Sequence, residues 1–177
     1  ITAVTHALGK FEVFLLEGVT GSGKTEVYMQ IIRSVLERGQ QVLVLVPEIN
    51  LTPQLEERFR QRFSVVLALS HSNLTDKQRH TAWLNMQQGN SAILLGTRSA
   101  LFTPLESPGL IILDEEHDTS FKQQEGFRFS ARDVAIMRAK FLNIPVLLGS
   151  ATPSLESLHN ASQSRYRHLI LSKRAGT

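Results

Sequence analysis

Residues 18–25, Gly18-Val19-Thr20-Gly21-Ser22-Gly23-Lys24-Thr25, bring three glycines, a lysine and hydroxyls into one octet. They follow the apolar run Phe11–Leu16 and precede a helical pattern from Val27 to Leu36. A glycine-rich turn between strand and helix is the setting of a phosphate-binding P-loop. Glycines at 18, 21 and 23 let the backbone curl until successive N–H groups, those of Val19, Thr20 and Ser22 among them, face phosphate oxygens. Lys24 adds positive charge for the β- and γ-phosphates, and the Thr25 hydroxyl suits Mg²⁺. The expected ligand is a nucleoside triphosphate, ATP, with its Mg²⁺.

A second cluster, Asp114-Glu115-Glu116-His117, ends the run Gly109-Leu110-Ile111-Ile112-Leu113. Four successive apolar residues set a strand in the core, so the carboxylates emerge at its C-terminal end. The P-loop leaves its own strand at the same edge. Asp114 there suits Mg²⁺, directly or through water. Glu115 is expected to orient and polarise an attacking water. Two acids at one strand end repel each other unless a cation sits nearby, and Mg²⁺ supplies it. A solvated strand exit would also be acidic. Beside a P-loop, the cluster predicts ATP hydrolysis, with Lys24, Asp114 and Glu115 as catalytic residues.

The elements that must position these groups are legible as apolar runs. Val42–Val46, Val65–Leu69, Ala92–Leu95, Leu110–Leu113, Val146–Leu148 and Leu169–Leu171 join Phe11–Leu16 as about seven strand candidates. Continuous aliphatic runs are typical of strands buried on both faces. Thr52-Pro53 and Thr152-Pro153 each offer a capping hydroxyl followed by proline at the first helical position. Thr75 with Gln78 fits a capping box opening a helix that Gly89 closes, and Ser130 caps another from Ala131 to about Leu142. Strand–helix alternation predicts an α/β fold: one domain over residues 1–177, mostly parallel strands flanked by helices.

Composition agrees with one packed core, since 42% of the 177 residues are hydrophobic. No apolar run approaches the ~18–20 residues of a membrane span, and no signal pattern opens the chain. Cysteine is absent, which excludes disulfides and thiolate metal sites and suits a reducing cytoplasm. The net charge of +3 permits nucleic-acid binding without requiring it. The opening at Ile1 and the polar tail Lys173-Arg174-Ala175-Gly176-Thr177 read as cuts in a longer protein.

Asp-Glu-x-His after a P-loop resembles the superfamily-2 helicases, whose motor lobes have a RecA-like fold. Pro47-Glu48-Ile49-Asn50-Leu51-Thr52-Pro53-Gln54 stands where motif Ia would be. Gly96-Thr97-Arg98-Ser99-Ala100-Leu101-Phe102 stands at motif Ib, and Gly149-Ser150-Ala151-Thr152-Pro153-Ser154 at motif III. With Lys122-Gln123-Gln124-Glu125-Gly126, these segments are similar to the PriA family of bacterial replication-restart helicases over essentially the whole chain. The resemblance implies the first RecA-like lobe, the ATP-binding motor lobe of a 3′-to-5′ DNA helicase acting at stalled forks in primosome assembly. A DNA-binding region, a second lobe and a cysteine-rich zinc module would lie outside this sequence, so zinc is expected only there. The adenine-contacting glutamine would precede Ile1. Arginine fingers would come from the second lobe, leaving the isolated lobe nearly inactive. Partners would be forked or single-stranded DNA and, through the intact protein, primosome or single-strand-binding proteins, at the bacterial nucleoid in the cytoplasm.

Thr97, Arg98 and Ser99 follow the Ala92–Leu95 strand, and hydroxyls with a guanidinium in one loop bind phosphate oxygens. An exposed loop charge with an acidic partner explains Arg98 as well. His71 reads equally as an ordinary loop histidine. Phe121, Phe127 and Phe129 lie beside Lys122 and Arg128, a texture in which bases stack on rings while cations hold the backbone. At least one ring is expected to anchor the loop to the core instead. Ser150 and Thr152 are expected to bond to the segment ending in His117 and couple the nucleotide to DNA; a plain helix cap explains Thr152 too. Three other readings remain open: another superfamily-2 DNA or RNA helicase lobe, a P-loop phosphotransferase, and a non-catalytic docking module. A phosphotransferase would bring its own arginine-rich lid, and no such segment is present.

Overall fold

Five of the seven aliphatic runs become strands buried on both faces. A computed structural model describes residues 1–174 of the chain; the end of the expected polar tail, Ala175-Gly176-Thr177, lies outside them. Helix α1 (Thr2–His6) leads to β1 (Val13–Gly18), α2 (Lys24–Leu36), β2 (Gln41–Leu45), α3 (Pro53–Arg62), β3 (Leu67–Ser70) and α4 (Asp76–Gln87). Strands β4 (Ile93–Gly96) and β5 (Pro108–Asp114) come next, then a small antiparallel hairpin of β6 (Lys122–Gln123) and β7 (Phe129–Ser130). Helix α5 (Ala131–Leu142), β8 (Val146–Ser150), α6 (Leu155–Ser162) and β9 (Arg167–Leu171) follow. The seven expected strands are all present, their ends moved by no more than two residues. They form one parallel sheet in the order β3-β4-β2-β5-β8-β1-β9.

Side chains alternate across each strand, so the sheet serves two cores. Phe14 and Leu16 of β1 join Tyr28, Ile31, Ile32 and Val35 of α2 and Phe59 of α3 on one face. Val13 and Leu15 face the other way, against Met86 of α4 and Ala131, Ala135 and Ala139 of α5. Alanine at every fourth residue lets α5 sit close to the sheet. Strand β8 lies between β5 and β1. Leu16 pairs with Gly149, and Gly149 pairs with Asp114. The end of β1, from which the P-loop departs, therefore shares one rim with Asp114 and with the Gly149–Ser154 segment.

The caps follow local chemistry with one exception. Thr52 and Ser130 accept from the backbone N–H three residues on, and Thr75 with Gln78 makes the full capping box. The expected cap at Thr152-Pro153 is not formed: Ser154 is the N-cap and α6 starts at Leu155. Ser154 wins because its hydroxyl also accepts from Arg132 and donates to Glu116, which fixes the helix entry there. The hairpin β6–β7 and the short α1 have no periodic signal in the sequence. They are too brief to show one.

Candidate functional site

The P-loop closes around Lys24. Gly21 and Gly23 adopt φ of 80° and 88°, a left-handed conformation that glycine reaches at little cost, and Gly23 turns the chain directly into α2. Lys24 Nζ donates to the Gly18 carbonyl at 2.7 Å and lies 3.7 Å from Glu115 Oε1. The cation thus stands between the loop and the acidic strand end. Ser22 Oγ is buried without a protein partner. Such a hydroxyl costs about 1–3 kcal/mol, a cost that an anion held in the loop would offset. Above the loop an open cleft of about 700 Å³ is lined by all of Val19–Glu26, by Asp114 and Glu115, and by Arg58, Gln61 and Arg62 of α3. That is room for a nucleoside triphosphate.

Burial holds the Asp114 carboxyl above the usual carboxylate range, opposed by the Tyr28 hydroxyl, which donates to Oδ1 at 2.7 Å, and by Lys24. Burial and the adjacent carboxylate in turn push the Tyr28 hydroxyl up, so it stays a donor at neutral pH. Glu115 sits at φ 50°, rare outside glycine and worth about 1–3 kcal/mol of strain. Its Oε2 accepts from the Ala151 N–H at 3.4 Å while Oε1 faces Lys24. Thr25 and Asp114 both line the cleft, and no group of three or more His, Cys, Asp or Glu among the described residues could hold a metal ion. One hydroxyl and a pair of carboxylates are too sparse for a protein-only cage. They fit Mg²⁺, which keeps several waters and takes phosphate oxygens.

The Gly149–Ser154 segment brackets the acidic one. His117 Nδ1 lies 2.8 Å from Ser150 Oγ and its Nε2 3.3 Å from Thr152 Oγ1. Hydroxyls donate or accept, so both imidazole tautomers are served. Freed from capping α6, Thr152 contacts His117 instead. Glu116 points the other way and is buried. It accepts from Ser154 N–H at 2.7 Å, from the Ser157 hydroxyl at 3.0 Å and from Arg132 at 3.3 Å.

Beside this lies the aromatic hairpin. Phe127 is 81% exposed and Phe129 is partly buried, while Phe121, at 2%, is core. Phe121 therefore anchors the loop and offers no face to a base, which corrects its place among the stacking candidates. Phe102 meets Phe129 edge to face with centroids 5.2 Å apart. Arg98 donates to the carbonyls of Ser120 at 2.9 Å and Lys122 at 3.3 Å, so it ties its own loop to the foot of the hairpin. Thr97 is buried and Ser99 exposed. Lys122 and Arg128 are exposed and line a shallow groove with Gln123 and Gln124.

A sequence model described as DEAD/DEAH box helicase matches residues 1–161. The chain belongs to the DEAD/DEAH box helicase family. Among curated proteins it is 61% identical to replication restart protein PriA of Haemophilus influenzae, over 94% of this chain and 23% of that protein. It is 48% identical to PriA of Bacillus subtilis, over 92% of this chain and 20% of that protein. The chain thus spans about a fifth to a quarter of the length of these relatives. Among solved structures, the Hef helicase domain of Pyrococcus furiosus superposes with a TM-score of 0.66 at 21% identity, over 96% of this chain and 36% of that one. That likeness carries the RecA-like helicase fold.

Several residues around the candidate site carry no sequence signal of their place in it. Tyr28 falls inside the helical pattern of α2 and belongs to no motif. Glu116 stands third in the acidic cluster, and its partners Ser154 and Arg132 are distant in sequence. Arg58, Gln61 and Arg62 sit in a polar helix with no motif, and only the fold turns them toward the cleft.

Proposed function

We propose that this chain is the first motor lobe, over residues 1–177, of a PriA-type DNA helicase that couples ATP hydrolysis to unwinding at stalled replication forks. The observation that carries the reading is the meeting of Lys24 and Glu115 at 3.7 Å on the rim that also holds Asp114. In this reading the loop amides and Lys24 hold the phosphates, with Nζ leaving the Gly18 carbonyl to do so. Thr25 and Asp114 hold Mg²⁺, which when bound neutralises charge on the phosphate oxygens. Glu115 orients the attacking water and takes its proton. His117, Ser150 and Thr152 relay the state of this rim, while Phe127, Phe129, Lys122 and Arg128, with the Thr97–Ser99 loop, meet DNA.

Arginines supplied from outside this lobe would add about 10³–10⁵-fold to the rate. A second lobe, a zinc module, primosome or single-strand-binding partners and a place at the bacterial nucleoid belong to the same reading, which the identity to bacterial PriA supports. No helix of the described residues is long and apolar enough to cross a membrane. Equilibrium titration with fluorescent ATP tests the site. Lys24→Ala is expected to weaken binding roughly ten-fold or more, the scale of a lost charge-assisted contact. Equal binding by both proteins refutes the reading.

A further inference from the structure

We propose that Tyr28 is a positioning residue for the magnesium seat. Its hydroxyl, set in a slot that only glycine at 149 leaves open, fixes the Asp114 carboxylate in the orientation that meets the ion. The inference rests on the reading of Asp114 as the Mg²⁺-facing carboxylate.

Three observations converge on it. Tyr28 follows Thr25 by three residues on α2, so both lie on one face of that helix. Tyr28 is 3% exposed and its hydroxyl donates to Asp114 Oδ1 at 2.7 Å. A methyl group placed on Gly149 would lie 1.7 Å from the Tyr28 hydroxyl oxygen, 2.9 Å from Cζ and 3.2 Å from Asp114 Oδ1. Gly149 is the in-register neighbour of Asp114, and its φ is not positive, so backbone freedom does not explain the glycine. What explains it is space for one hydroxyl. Tethering one oxygen of a strand-end carboxylate fixes the plane of the group and leaves Oδ2 for an ion or its water. Hydrogen-bond partners of ligating carboxylates commonly change metal affinity 10–100-fold.

The test uses Mn²⁺ as the probe, titrated by electron paramagnetic resonance into the 177-residue chain saturated with a non-hydrolysable ATP analogue. Tyr28→Phe is expected to weaken Mn²⁺ binding about 10–100-fold. Affinity for the analogue in EDTA is expected to stay within about two-fold, a split that general loosening of the fold would not give. Gly149→Ala should weaken Mn²⁺ as well, and Tyr28→Phe added to it should cost little more, because both act through one hydroxyl. Asp114→Ala is the reference. If it abolishes Mn²⁺ binding while Tyr28→Phe leaves it unchanged, the role of Tyr28 is overturned and the reading of Asp114 stands. Should Asp114→Ala have no effect, both fall. Fully additive losses from Tyr28→Phe and Gly149→Ala also overturn the proposal.

Discussion

Replacing Arg132 by alanine should strand the Glu116 carboxylate in the interior. The Glu116 side chain is 0% exposed and that of Arg132 11%, with 3.3 Å between Nη1 and Oε2. Removing one partner of a buried pair costs about 3–5 kcal/mol because the remaining charge is uncompensated. Here Glu116 keeps the Ser154 N–H and the Ser154 and Ser157 hydroxyls, which places the loss at the lower end, about 3 kcal/mol. For a domain of this size that corresponds to a melting point lowered by roughly 6–12 °C. Glu116→Gln should cost less. It removes the charge but keeps the shape, and Arg132 retains Asp133 at 3.0 Å and Glu156 at 3.6 Å. Urea denaturation of the wild type, both single variants and the double variant closes a cycle whose coupling should be about 1–3 kcal/mol. A loss in Arg132→Ala below about 0.5 kcal/mol, or a double variant equal to the sum of the singles, would refute the account of a buried, mutually dependent pair.

Four further outcomes are expected. Burial raises the Asp114 carboxyl, so in the metal-free fold its charge is a cost that is absent in acid and grows as pH rises through its folded value. Asp114→Asn should therefore raise the melting point of the nucleotide-free chain at neutral pH, with the gain vanishing in acid, as thermal scans across pH will show. Phe127→Ala should weaken single-stranded DNA by about 1–3 kcal/mol in a fluorescence anisotropy titration and leave stability within about 0.5 kcal/mol. Phe121→Ala should instead destabilise the fold by about 3–5 kcal/mol by urea denaturation. The purified chain should hydrolyse ATP at a small fraction of the rate it shows within a full-length helicase, and phosphate release measures this directly.

Much of the molecule was legible because the signals are local. A strand buried on both faces must be a continuous aliphatic run, so the five inner strands announce themselves, and the partly buried edge strands β3 and β9 still carry short aliphatic runs. Thr75 and Gln78 declare a helix start within four residues. Asp114 follows its strand without a gap, which fixes the end from which its carboxylate leaves. What stayed hidden depends on contacts between distant segments. Whether Thr152 or Ser154 caps α6 turns on Glu116, and nothing near residue 152 records that. Phe121, Phe127 and Phe129 are one residue type within nine positions, yet one lies in the core and another in solvent. Arg98 has a free loop charge's sequence and a tether's geometry.

Strand β8 gives the site a timetable as well as a shape. It is the middle piece between the P-loop strand and the acidic strand, yet it is the last of the three to leave the ribosome: Val13 waits for Val146. Pairings so far apart in sequence form slowly. A nascent chain that stops short of Val146 would hold both halves of the cradle with nothing to join them, so nucleotide capture should switch on abruptly once β8 has emerged.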